Sequence, residues 1–407
     1  MGLETDYAYT PRVYRKLVHA AVQGGSFAGA ADILAEQAEL KIGVKRLWRA
    51  VKRIGEEGLA EAEAAAFEKL PLPAQQQSPV EQVPAVACVE MDGGRLQVRD
   101  RHETRDQVAA KATWWSEMKV AALTSMHSQV ATVDPCPELP ASFADPGKMS
   151  RIASEIKGFT TPAAEPAAAQ EPAPEESPEP QGERPGKPQP LVRSVMGLVG
   201  PVEQFGRRLA SAAYGRGFHA ASRKVFLGDG SETNWGVHRR HFSHYTPIVD
   251  FVHALMYVYA ASMAGRVASE GWHVYREWAQ WLWSGQVEQI IAALTQRQAE
   301  LGLPEEQETG TPRSQVAESL RYLSNQQSRM NYAEYRRQGL PITSSYVEST
   351  IKQVNRRMKG TEKFWSTGVN AMLTLVADQL SQTNIIPRFW NRRLNRLTAN
   401  PCYHQSS

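Results

Sequence analysis

The chain has 407 residues, 46 Lys and Arg against 43 Asp and Glu, a formal net charge of +3 and 42% apolar residues. Such a length allows two or three domains with a sizeable core, and the composition excludes wholesale disorder, a collagen repeat or a long coiled coil. A net charge this small does not by itself announce a nucleic-acid partner. Cys88, Cys136 and Cys402 stand far apart with no C-x-x-C pair, which argues against a disulfide framework and a cysteine-rich zinc site. The N-terminal residues mix Glu4, Asp6, Arg12, Arg15 and Lys16 with scattered apolar side chains, so no secretory signal is expected. The apolar stretch Ile248 to Gly265 is interrupted by Asp250 and His253. An ionised Asp at membrane depth is costly, so this stretch is expected as a buried helix or strand in a cytoplasmic protein without membrane contact.

Residues 1–70 read as a helical domain. Ser26 suits an N-cap before Phe27, Ala30, Ala31 and Leu34, and a break follows at Ile42-Gly43. A second helix then sets Leu47, Val51 and Ile54 on one face, Lys45, Arg46, Arg49, Lys52 and Arg53 on the others, and Gly58 at its end. Two short helices across a glycine-containing turn, the second basic, resemble a helix-turn-helix, with Lys45, Arg46 and Arg49 as DNA contacts. The same pattern also suits a solvated basic helix of any small bundle.

A Pro/Gln-rich linker at 71–85 precedes the first strand signals. AVACVEM is rich in β-formers, RLQVRD alternates, and Asp92-Gly93-Gly94 between them is a hairpin signal. With another strand at Lys119 to Leu123, residues 86–160 form the first part of an α/β core. Residues 161–190 hold 9 of the 25 prolines and six Glu, a segment too poor in apolar surface to offset its ordering entropy, and read as a disordered linker. A second core part, 191–254, is expected as a helical stretch over 191–220 followed by strands at Arg223 to Gly230 and Thr246 to Val252. Residues 255–340 read as a helical insertion in which Trp272, Trp278, Trp281 and Trp283 form core; stacking of one ring on an unpaired base is the other reading. HRRHFSH spaces His238, His241 and His244 too unevenly around a helix for a good metal site and reads as a basic, DNA-facing segment with Arg239 and Arg240. No P-loop motif is present.

Three carboxylates carry chemistry. Asp92 and Asp229 each follow an apolar strand and precede Gly. A strand end projects such a side chain towards a cleft, although Asp-Gly is equally a favoured turn pair. Glu348 lies in LPITSSYVESTIKQVNRRMKG, where Ser345 and Glu348 read as a capping box, Gly360 as the helix end, and Val347, Ile351, Val354 and Met358 as the buried stripe. Glu348, Lys352, Asn355 and Lys359 then share a face: an acid for a hard cation at the head of a stripe for phosphates. Two Asp at strand ends and a Glu on a later helix are the constellation of two-metal phosphoryl transfer.

The blocks VEMDGGRLQVR, FLGDGSETNW, TPIVDFVHAL and Tyr335 to Ser366, YRRQGLPITSSYVESTIKQVNRRMKGTEKFWS, occur in this order. Together they resemble the DDE transposases of bacterial insertion sequences, in the ISKra-type branch related to Mutator-like elements, from about residue 85 to the end. The resemblance implies an RNase H-like α/β core with an all-helical insertion before the Glu helix, alongside the N-terminal helix-turn-helix domain. It implies Asp92, Asp229 and Glu348 as the catalytic, metal-binding triad for two Mg2+ (or Mn2+) ions, with Asp250 and His253 as an auxiliary Asp-x-x-His pair. Lys352, Arg356, Arg357 and Lys359, in the final segment 341–400, would contact phosphates. The partners implied are double-stranded transposon ends and target DNA, bound by a nucleoid-associated homo-oligomer. A decayed or domesticated DNA-binding derivative and an RNase H-like nuclease are the competing expectations. The charge is segregated accordingly: residues 351–397 hold nine Lys and Arg against Glu362 and Asp378.

Overall fold

The long strand β1 (Val86–Arg99) organises the fold in this computed structural model, which describes residues 9–64, 83–99, 115–155, 186–359, 364–383 and 385–398. Its first six residues, Val86 to Met91, are all buried, as a strand covered on both faces requires. β2 (Trp115–His127) pairs antiparallel with β1, and β3 (Gln189–Val199) pairs antiparallel with β2. On the other side β4 (Arg223–Gly228) and β5 (Thr246–Val249) add in parallel, giving the order β3-β2-β1-β4-β5. The two-residue β6 (Phe364–Trp365) pairs with Val98 and Arg99 at the far end of β1. The protein is thus mixed α/β around a mixed central sheet.

Helices bury both faces. α1 (Pro11–Gln23), α2 (Phe27–Ala38) and α3 (Val44–Ala64) precede the sheet; α4 (Pro146–Glu155) follows β2, α5 (Val202–Gly215) follows β3 and α6 (Glu232–His241) follows β4. After β5 come α7 (Phe251–Met263), α8 (Ala268–Trp283), α9 (Val287–Leu301), α10 (Pro312–Gln326) and α11 (Tyr332–Arg337), then α12 (Ser345–Met358), α13 (Ser366–Leu380) and α14 (Ile385–Thr398). One core joins β1, β4 and β5 to α4–α11. The other joins Leu96 of β1 and Met118, Val120 and Ala122 of β2 to α1–α3 and α12–α14. Each large apolar side chain so buried contributes about 1.5–3 kcal/mol. Trp278 and Trp283 are buried and Trp272 and Trp281 pack against the same core, as expected for the insertion. The apolar stretch after Ile248 is the buried helix α7. No helix among the described residues is long and apolar enough to cross a membrane.

Several expectations are corrected. No hairpin forms at Asp92-Gly93-Gly94: β1 runs straight through, with Gly93 opposite Lys119 and Gly94 opposite Met118. Neither glycine has a positive φ. Continued pairing with the apolar strand β2 overrides the local turn preference. Residues 191–199 are not helical but form the edge strand β3, whose Val192, Val195 and Val199 favour extended backbone; the helix starts only after Gly200-Pro201. β5 stops at Val249 rather than Val252, because Asp250 caps α7. Helix α3 passes through Gly58 to Ala64. The Ser26 cap is made, its hydroxyl accepting the Gly29 amide at 3.0 Å, and Leu47, Val51 and Ile54 are buried as expected. The linker at 71–85, that at 161–190 and the positions of Gly360 and Cys402 lie largely or wholly outside the described residues.

The N-terminal helices share the second core through a close contact. A Cβ on Gly55 of α3 would lie 2.4 Å from the carbonyl oxygen of Ala371 in α13, whereas one on Gly58 would meet only Thr374 Cγ2 at 3.9 Å. Gly55→Ala is therefore expected to destabilise the fold by about 1–3 kcal/mol, since overpacking forces backbone apart. Gly58→Ala, in the same helix, is expected to be neutral or slightly stabilising; chemical denaturation of the two variants measures the difference.

Candidate functional site

The register of β1 with β4 pairs Glu90 with Leu227. Two residues further along each chain stand Asp92 and Asp229. Asp92 is mid-strand rather than at a strand end, but it lies where β4 has just stopped, so the two acids meet at the carboxyl edge of the parallel strands. Gly230 turns the chain with φ +95°, and a Cβ there would sit 2.8 Å from the Tyr322 ring; only glycine fits such a turn. Asp229 Oδ1 accepts the Ser231 amide at 2.9 Å and Asn234 Nδ2 at 2.8 Å. The same Nδ2 donates to the Met91 carbonyl at 3.0 Å, bracing Asp229 against β1. The Tyr322 hydroxyl donates to the Asp229 carbonyl at 2.8 Å, and Gln326 Nε2 to the Gly230 carbonyl at 2.9 Å.

Behind this pair lie two more acids. Asp250 is 2% exposed; it accepts the His253 amide at 2.6 Å through Oδ1 and the Ser344 amide through Oδ2. Glu90, fully buried, accepts the Val347 amide at 2.9 Å and faces the Cys88 thiol, whose Sγ lies 3.8 Å away. Burial pushes the Glu90 carboxyl up to about 8, helped by the negative Asp250 and opposed by the Val347 N–H. Burial likewise pushes Asp92 up to about 6, with Asp229 and Asp250 adding repulsion and the Gly93 N–H opposing. Half-buried His253 packs its ring on Tyr257 and Tyr322, which stack on each other at 3.8 Å.

Glu348 sits in the first turn of α12, held beside β1 by the bond from Val347 to Glu90, but its side chain is exposed. The N-cap is Ser344, without a side-chain cap bond; the capping box expected of Ser345 and Glu348 rests on the Ser345 side chain, which lies outside what the structure describes. The buried carboxylates of Asp250 and Glu90 accept the Ser344 and Val347 amides at this helix end. Along α12 Val347, Val354 and Met358 are buried, Ile351 half-buried, and Lys352, Arg356 and Lys359 exposed, as expected. Arg357 is not a phosphate contact. It is 4% exposed, its Nε donates to the Ala21 carbonyl at 2.7 Å, and its guanidinium lies over Phe27 and Phe364. Its position, seven residues after buried Thr350 and three after Val354, places it on the inward arc of the helix. Lys45, Arg46 and Arg49 are exposed on the first turns of α3, with Arg46 over the Tyr9 ring. His238 is bonded to the Tyr245 carbonyl at 2.9 Å and packed on Phe226 and Trp235, while Arg239 and Arg240 are exposed.

The structure thus brings Asp92 and Asp229 together, with Asp250 and Glu90 behind them, and leaves Glu348 facing solvent nearby. Among the described residues no three His, Cys, Asp or Glu side chains gather closely enough to hold a metal ion. The Asp92–Asp229 pair nonetheless fits a hard divalent cation: two oxygen donors repel each other in a partly desolvated edge, and a cation would relieve that repulsion while water and substrate complete its shell. Glu90 and Asn234 escaped the sequence reading. The available signal was Glu90 within an otherwise apolar strand, and Asn234 three residues after the helix-capping Ser231. A cavity of about 970 Å3 lies elsewhere, between α3, β3, α5 and α13, where burial pushes Asp378 up to about 7; the acids at the strand edge do not line it. No family model matches the chain, and no curated protein matches it in sequence.

The raised Asp92 carboxyl has a signed consequence. Between about pH 4 and pH 6 the folded state keeps a proton that the unfolded chain has lost, so stability falls as pH rises through this window. Asp92→Asn is expected to remove that fall and to stabilise the protein by about 3 kcal/mol at pH 7, with little gain at pH 4, as measured by urea unfolding at the two pH values.

Proposed function

We propose that this protein is a DDE-type transposase with an RNase H-like core, which cuts the ends of its own element and joins them to target DNA. The observation that carries this reading is the juxtaposition of Asp92 with Asp229 at the carboxyl edge of the β3-β2-β1-β4-β5 sheet, with the helical segment α7–α11 falling between β5 and the helix of Glu348. Asp92, Asp229 and Glu348 would hold Mg2+ or Mn2+, two ions in all. When bound, such ions supply activation of the attacking oxygen and stabilisation of the leaving one. Asn234, the Ser231 amide and the Tyr322 hydroxyl fix the Asp229 segment. Glu90 and Asp250 hold the start of α12, which fixes the helix turn that carries Glu348.

The exposed cations support the same reading. Lys352, Arg356 and Lys359 lie on the open side of the helix that Glu348 begins, where DNA phosphates would run. Lys45, Arg46 and Arg49 on α3 would serve a helix-turn-helix that recognises the ends, with α2 as its first helix. Synapsis of two ends calls for a homo-oligomer on double-stranded DNA, and a nucleoid location follows from that substrate.

A second reading, a DNA-binding derivative without cleavage, draws support from the exposed position of Glu348; a nuclease without strand transfer is separated from both by its products. The test is incubation of purified protein with its element's flanking inverted repeats, with and without Mg2+. Nicked and joined products are expected only with Mg2+. Asp92→Ala, Asp229→Ala and Glu348→Ala are each expected to abolish them while leaving end binding within about twofold. Undiminished cutting by any of the three variants contradicts the assignment; wild-type binding without cutting moves it to the second reading, and nicks without joining to the third.

A further inference from the structure

Beyond Met91 the two faces of β1 part company. Leu96 and its neighbours on one face pack on α3, α12 and α13, but among the described residues the face of Gly93, Arg95, Gln97 and Arg99 has no helix over it: Gly93, Arg95 and Arg99 are exposed, and a Cβ on Gly93 would meet nothing within 4 Å. Residues directly opposite in a sheet share a face. Trp115 of β2 is opposite Gln97, and Trp365 of β6 is opposite Arg99. Both tryptophans are exposed, 46% and 37%, unlike the core tryptophans of the helical insertion. The one acid opposite this row, Glu117 facing Arg95, is paired with Lys119 at 3.1 Å, so the strip stays positive.

From strand spacing and rise, the two tryptophan backbones lie on the order of 12 Å apart, and Arg95 about 10 Å along the strand from Asp92. Exposed aromatic rings interleaved with arginines on an open sheet face match the stacking platforms that hold unpaired bases, while the guanidinium groups meet phosphates. A hydrophobic protein partner would not call for Arg95 and Arg99 between the rings. Asp92 itself projects to the opposite face of β1, since successive side chains of a strand alternate.

We infer that the face of Arg95, Gln97, Arg99, Trp115 and Trp365 binds single-stranded DNA, stacking unpaired bases on the side of β1 opposite the Asp92 carboxylate. This assignment rests on the transposase reading for its biological sense, since strand cutting frees an unpaired flank, but its test does not depend on cleavage. The full-length protein is titrated with a twelve-nucleotide single strand and with the matching blunt duplex, following fluorescence anisotropy of the DNA and quenching of tryptophan. Trp115→Ala and Trp365→Ala are each expected to weaken single-strand binding by roughly tenfold or more. Trp115→Phe and Trp365→Phe should restore most of it, and Arg95→Ala should flatten its dependence on salt. Duplex binding should change by less than twofold in the tryptophan variants, and their thermal melting should match the wild type. The inference is overturned if the Ala variants bind the single strand like wild type, if Phe fails to rescue, or if the variants instead alter the oligomeric state alone. Failure of Mg2+-dependent cutting with single-strand binding intact would count against the transposase reading and not against this surface.

Discussion

Four carboxylates, Glu90, Asp92, Asp229 and Asp250, converge at one edge of the sheet, and each accepts a backbone amide: those of Val347, Gly93, Ser231 and His253. Concentrating acids in a partly dry region is costly unless hydrogen bonds or counter-charge compensate. Here the compensation comes from the main chain, and that choice shapes much of the surrounding structure. Helix α7 begins where Asp250 can cap it. Helix α12 begins where Glu90 and Asp250 can receive its first amides. Asn234 is buried because its amide nitrogen must donate to both Asp229 and the Met91 carbonyl. The acids are therefore both the chemistry of the edge and the fasteners of the helices around it.

Much of this edge could be read from the residues. An Asp before Gly at the end of an apolar run marked Asp92 and Asp229, and the interruption of an apolar stretch marked Asp250, whose capping role ends β5 and starts α7. The inward stripe of α12 followed from helical spacing. What escaped followed from long-range pairing. Gly93 and Gly94 look like a turn locally, and only the apolar length of β2 across the sheet shows that the strand continues. β3 resembles a lead-in to helix α5 until its valines are set against β2. Glu90 is invisible as a fastener because the amide it receives lies 257 residues away. Arg357 sits in a run of basic residues, and its burial depends on the Ala21 carbonyl and Phe27 of two helices at the other end of the chain.

The distribution of charge shows why a net +3 says little about what the protein binds. Some acidic side chains are drawn into the strand edge and others, like Glu57 and Glu61 of α3, are paired with Arg392, Arg393 and Arg396 of α14. Exposed cations stand on the outer face of α12, the first turns of α3 and the far end of β1, besides others such as Arg239 and Arg240.

The contact of Gly55 with Ala371 has a mechanical meaning. Because the backbones of α3 and α13 touch, the basic first turns of α3 are carried on the same rigid frame as β1 and not on a swinging tether. If α3 reads DNA as proposed, an element mounted in this way would work as a ruler. The distance from α3 to Asp92 is set by the core, so lengthening the chain between α3 and β1 would leave that distance unchanged, whereas loosening the Gly55 joint would blur the position of any cut it places.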